Sequence, residues 1–143
     1  MLNSQMYTTL LDAVAVLNTG PAPGWTASDN TAFKAWNTRF FTWLTNSTFG
    51  QQENALTNNH GTFADMQRAA IALFSGDAAG AKTILEASKT KRIDVQIASD
   101  GRQPMELDRT KSFHYSTFNL VAYARLAAIG LKVRMTPDNI RLS

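Results

Sequence analysis

Between residues 28 and 46, Phe33, Trp36, Phe40, Phe41 and Leu44 recur at i, i+3, i+7, i+8 and i+11, the spacing of one face of an α-helix. Each large apolar side chain gains about 1.5–3 kcal/mol by leaving water, so a helix carrying this stripe folds only against other elements. The stripe is expected to be core, with Ser28 or Asp29 as N-cap of a helix running to about Asn46. Upstream, Tyr7, Leu10, Leu11 and Val14 keep the same period from Gln5 to Leu17, and Gly20, Pro21, Pro23 and Gly24 stop the run. Residues 48–58 are polar and aperiodic and read as a loop. A third helix starts at Asn58-Asn59-His60-Gly61, continues through Phe63, Met66, Ala70, Ile71 and Phe74, and ends at Gly76. Asp77 caps a fourth, through Leu85 to about Ser88. Ile93, Val95 and Ile97 alternate with polar residues as in a short strand, and Asp100-Gly101 with Gln103-Pro104 reads as turn and loop. A last helix, from near Arg109 to Ile129, packs Phe113, Leu120, Tyr123, Leu126 and Ala127 and closes at Gly130. Five helices on short to moderate connections predict an all-α chain of antiparallel helical hairpins.

Composition narrows the function classes. With 143 residues, 44% hydrophobic and 17% charged, the chain suits one globular domain with a real core. A net charge of +3 mildly favours an anionic partner. The basic residues are scattered, and the one cluster, Lys89, Lys91 and Arg92, reads as a solvated face, so nucleic acid is not expected as a partner. There is no cysteine, hence neither a disulfide framework nor a thiolate metal site. No apolar run approaches the ~20 residues of a membrane span, and Met1 to Tyr7 do not read as a signal peptide.

Two separated segments carry chemistry. Asn58, Asn59, His60 and Gly61 are followed about fifty residues on by Arg109, Thr110, Lys111, Ser112, Phe113, His114, Tyr115 and Ser116. Together they supply an amide, an imidazole, a guanidinium and a phenol, a set suited to proton abstraction beside a carboxylate: two groups neutralise the acid, and two move protons. At the first turn of a helix, His60 meets backbone N–H groups that disfavour the imidazolium; the competing reading is an asparagine cap with an incidental histidine. Tyrosine ordinarily ionises only near pH 10, so Tyr115 as a base requires a cation, Arg109 or Lys111. Six residues apart on a regular helix, Arg109 and Tyr115 lie about 120° apart, and they share a pocket if Arg109 belongs to the entry turn. His114 then points elsewhere and is structural. No nucleophile elbow, phosphate loop, dinucleotide fingerprint or zinc-helix signature occurs. Glu53, Asp65, Glu106 and Asp108 are the carboxylates available to a glycoside hydrolase, and nothing in the sequence places two of them together.

The segment 57–67, TNNHGTFADMQ, and the segment 93–120, IDVQIASDGRQPMELDRTKSFHYSTFNL, resemble the alginate lyase family of helical-toroid polysaccharide lyases. The resemblance implies that residues 1–143 form a single, partial α/α-toroid domain, the later part of an incomplete barrel. It implies β-elimination on a 1,4-linked polyuronate, an acidic polysaccharide partner and no redox cofactor or metal. It implies that Asn59 and Arg109 neutralise the substrate carboxylate while His60 and Tyr115 divide the base and acid roles on one concave surface. Asn58 and Gln103 are expected to touch the sugar; Glu106 either does so or anchors its loop. Trp36 and Trp43 are expected to pack rather than stack on sugar rings. An extracellular or periplasmic location is implied as well, and a partial toroid is expected to expose an apolar patch on its first helix and to self-associate. The alternative is a catalytically incomplete helical module that binds acidic glycan.

Overall fold

The computed structural model describes residues 6–134, and those residues are all-α. The elements are α1 (Tyr7–Leu17), α2 (Ala27–Asn46), α3 (Thr48–Ala55), α4 (Asn59–Ser75), α5 (Ala78–Ser88), a π-helical turn (Lys89–Ile93), α6 (Asp94–Gln96), α7 (Pro104–Leu107) and α8 (Ser112–Arg134). α4 is the axis of the fold and packs against α1, α2, α3, α5 and α8. Its Phe63, Met66, Ala69 and Ile71 meet Leu11 of α1, Leu44 of α2 and Leu126 of α8 in one apolar cluster.

Local signals set most helix ends. Gly76 takes the left-handed conformation, φ 96°, that ends α4, and the Asp77 carboxylate accepts from Gly80 N at 2.7 Å to start α5. α2 starts two residues earlier than expected. Thr26 is its N-cap, and Asp29 is the reciprocal partner of a capping box: Thr26 Oγ1 accepts from Asp29 N, and Asp29 Oδ2 accepts from Thr26 N.

Five expectations are corrected. Residues 48–55 are helical, because Ser47 caps Gly50 N at 3.1 Å and the absent side chain of Gly50 lets α3 turn back on Leu44, whose carbonyl oxygen would lie 2.0 Å from a Cβ. Residues 93–97 form no strand; the chain continues from α5 through the π turn into α6, with Ile93 and Val95 exposed and Arg92 and Gln96 buried. The inward face is thus polar, which is why the apolar alternation misled, and Arg92 leaves the solvated cluster assigned to it. α8 runs through Gly130 to Arg134, with Lys132 and Arg134 in its last turn, where cations suit the negative helix end. Its buried positions are Asn119, Ala122, Leu126, Ile129 and Val133, whereas Phe113 is 81% and Leu120 51% exposed.

The aromatic stripe of α2 divides likewise. Phe33, Phe40 and Phe41 pack on the core, but Trp36 and Trp43 are 44% and 47% exposed, and the rings of Trp36, Phe40 and Trp43 stack in sequence along the helix. α1 buries Leu11 and Val14 and exposes Leu10, Val16 and Leu17. Asp12 of α1 is paired with Arg125 and Lys132 of α8. No helix of the described residues is long and apolar enough to cross a membrane.

Candidate active site

The two sequence segments meet where the N-terminus of α4 abuts the start of α8. Phe63, one turn into α4, lies 4.4 Å centroid to centroid from Phe118, in the second turn of α8. α7 locks the junction. The Glu106 carboxylate, fully buried, accepts from Asn59 N at 2.5 Å and from Asn59 Nδ2 at 2.6 Å, across 47 residues of sequence. Glu106 therefore anchors rather than touches sugar. Its charge sits on the positive end of α4, where an anion is favoured.

Arg109 lies in the entry turn before α8, as its pairing with Tyr115 requires. Its N donates to Glu106 O at 3.2 Å, and its guanidinium stands over the Tyr115 ring, 4.1 Å from the centroid. His114 packs edge-on to Tyr115 and stacks on Phe118, a structural role. His60 keeps 28% of its side chain exposed, its N donating to Asn58 Oδ1 at 3.1 Å and its Nδ1 lying 2.9 Å from Glu53 Oε2.

The other expected site residues face inward. Asn58 is the N-cap of α4. Asn59 is wholly buried: one end of its amide is held by Glu106, and its Oδ1 has no hydrogen-bond partner among the described residues. Such an orphan costs about 1–3 kcal/mol. Gln103, expected at the sugar, is buried instead. Its Nε2 donates to Ser116 O at 3.1 Å, and its Oε1 accepts from Asn119 Nδ2 at 2.8 Å, so both ends of the amide are engaged.

Beneath these residues runs a polar scaffold that periodicity does not reveal. Gln96 Oε1 accepts from Thr62 Oγ1, Asn119 Nδ2 and Tyr123 OH at 2.9–3.0 Å, while its Nε2 donates to Asn58 O at 3.2 Å. Burial pushes the Tyr123 phenol above its ordinary value, so at neutral pH it is the hydrogen-bond donor this arrangement requires. Arg92, 2% exposed, donates to Asp65 Oδ2 (2.7 Å), Leu56 O (2.8 Å) and Asn54 O (2.7 Å) and thereby bolts the end of α3 to α4. Gly61 permits this approach, since a Cβ there would lie 2.0 Å from Leu56 O and 2.5 Å from an Arg92 nitrogen. Three of the carboxylates a hydrolase would need are committed elsewhere: Asp65 to Arg68 and Arg92, Glu106 to Asn59, Glu53 to His60. Among the described residues no group of three histidines and carboxylates is placed to hold a metal ion.

The starts of α4 and α8 thus bring the segment bearing a partly exposed imidazole next to the segment bearing a guanidinium stacked on a phenol ring, over a buried polar scaffold. A crystal structure of an alginate lyase from Bacteroides ovatus matches this chain with a TM-score of 0.89 at 29% identity, over 93% of this chain and 34% of that one. The chain thus spans about a third of that lyase. No curated protein sequence matches it. The family model described as alginate lyase matches residues 2–136, nearly the whole chain, so the protein belongs to the alginate lyase family.

Proposed function

We propose that the protein is a polysaccharide lyase that cleaves 1,4-linked uronates, alginate or a related polyuronate, by β-elimination. The observation that carries this reading is the Arg109 guanidinium over the Tyr115 ring, beside the helix start that bears His60. Elimination removes the C5 proton, forms the C4=C5 double bond with the electrons of that C–H bond, breaks the C4–O4 bond and delivers a proton to O4. The C5 proton becomes acidic when the neighbouring carboxylate is neutralised, and Arg109 supplies the charge for that. Asn59 joins it once its Nδ2 exchanges the Glu106 carboxylate for that of the substrate. His60 and Tyr115 take the base and acid roles, the order set by whether the C5 proton lies syn or anti to O4, which differs between mannuronate and guluronate. An acidic polysaccharide is the partner, and an extracellular or periplasmic setting suits it.

The buried Asn59 amide, held by Glu106, favours a second reading, a helical module that binds acidic glycan without turning it over. One assay separates the two. Polymannuronate, polyguluronate and glucuronan are incubated with the chain and followed in the near-ultraviolet, where a 4,5-unsaturated uronate absorbs. Rising absorbance on at least one polymer is expected, and Tyr115→Phe, which keeps the ring and removes its proton, should lower the rate about 10²–10⁴-fold. Binding with flat absorbance establishes the second reading. New reducing ends without absorbance, or a fully active Tyr115→Phe protein, refute the mechanism.

A further inference from the structure

α3 delivers one residue to the site. Glu53, in its last turn, places Oε2 2.9 Å from His60 Nδ1, with each side chain about a quarter exposed. An ionised carboxylate has acceptors only, so the proton in this contact sits on Nδ1. In a neutral imidazole the other nitrogen, Nε2, then carries none and is the free acceptor.

We propose that Glu53 is a positioning residue that fixes His60 in the Nδ1–H tautomer and aims an unprotonated Nε2 at the reacting groups; the catalytic half of this statement rests on the lyase reading. The surroundings hold the pair together from both sides. On the α4 side, His60 N is tied to Asn58 Oδ1, so the ring pivots from a fixed backbone. On the α3 side, Arg92 Nη2 takes both Asn54 O (2.7 Å) and Asn54 Oδ1 (2.9 Å), and Nη1 takes Leu56 O (2.8 Å). The residues just after Glu53 in the chain are therefore clamped by a buried guanidinium whose own charge is matched by Asp65. A glutamate on a free loop would sample many rotamers; this one starts from a backbone held at hydrogen-bond distance. Fixing the tautomer matters because an imidazole with its proton on Nε2 cannot accept one there, a defect that geometry alone does not repair.

The test reads the tautomer directly. The chain has two histidines, His60 and His114, so His114→Gln assigns the ring signals by subtraction in long-range proton–nitrogen correlation spectra of the 15N-labelled protein at alkaline pH. The expected wild-type His60 is the Nδ1–H form. Glu53→Ala should shift it towards the Nε2–H form, whereas Glu53→Gln, whose amide oxygen accepts the same hydrogen bond, should hold it. In the elimination assay Glu53→Ala should lower kcat about 10–10²-fold, as loss of a residue that orients an imidazole does elsewhere, with KM little changed. A wild-type His60 in the Nε2–H form, or a tautomer indifferent to Glu53→Ala, overturns the proposal, and the wild-type spectrum decides even if the alanine variant fails to fold. Absence of turnover with the expected tautomers intact counts against the lyase reading alone.

Discussion

The first three turns of α4 bury apolar side chains on the core and polar ones beside them, with Asn59, Thr62 and Asp65 on the helix and Arg92 and Gln96 also buried. Along α2 the packing is mainly aromatic: Phe33, Phe40 and Phe41 lie on the core and Trp36 and Trp43 stand nearly half exposed, and Asn37, accepting from Tyr7 OH at 2.6 Å, is the buried polar exception. Burying a polar group without a partner costs about as much as burying an apolar one gains, so the α4 region depends on the hydrogen bonds that Glu106, Arg92 and Gln96 make there. That region is specified by partners and the α2 face by area. A proton-transfer site needs the first kind of construction, because hydrogen bonds fix direction to within a few tenths of an ångström whereas apolar contacts tolerate sliding.

The comparison predicts which single change does most harm. Arg92→Ala leaves Asp65 buried with one cation fewer and leaves Asn54 O and Leu56 O without their donor. Breaking a buried, hydrogen-bonded ion pair from one side typically costs about 3–5 kcal/mol, so urea unfolding should show a loss of that size and α3 should detach first. Amide exchange read residue by residue would show protection lost at 50–55 before the α4 core. A change below about 1 kcal/mol would mean the network is solvated and the contrast with α2 is illusory.

The contrast also explains how much was legible. Caps and stops that act within four residues could be read from the chain, as Gly76, Asp77 and the Asn58 cap demonstrate, and so could the placing of Arg109 in an entry turn, because helix geometry demanded it. α3 was not legible, since its face towards α4 carries no apolar stripe and its cap, Ser47, is a weak signal alone. α6 was misread because Arg92 and Gln96 occupy the inward positions that hydrophobic residues usually mark. The anchoring of Asn59 by Glu106 joins residues 47 positions apart, and no periodicity encodes such a partner. The inward turn of Gln103 has the same origin: Ser116 and Asn119 are reached only after α7 folds against α8.

A second substitution probes the apolar side. Trp43 stacks on Phe40 with centroids 6.0 Å apart and an interplanar angle of 11°, at 47% exposure. Trp43→Ala should cost about 2 kcal/mol, roughly half the loss typical of a fully buried tryptophan. It should also reduce any self-association through the exposed apolar faces, measured as a lower mass by light scattering. A loss as large as that of Arg92→Ala would place the α2 face in the same class as the α4 scaffold.

The smallest effect is expected where α1 meets α8. Burial opposes ionisation of Asp12, but its hydrogen bonds and charge pairing with Arg125 and Lys132 outweigh that and hold the carboxyl below its ordinary 3.8. A carboxyl whose folded value is depressed stabilises the fold at every pH above the unfolded value, and that contribution disappears as pH falls through the folded value. The Asp12 side chain is 38% exposed and solvent screens the pair, so Asp12→Asn should cost no more than about 1 kcal/mol at neutral pH. In acid well below 3.8 both proteins carry a neutral group at this position, and their urea midpoints should converge. Added salt should narrow the neutral-pH gap further, in contrast to the buried Arg92 pair, whose contribution salt hardly screens. A gap that persists undiminished in acid would assign the stabilisation to packing of the α1–α8 seam, and the electrostatic account of that seam would fail.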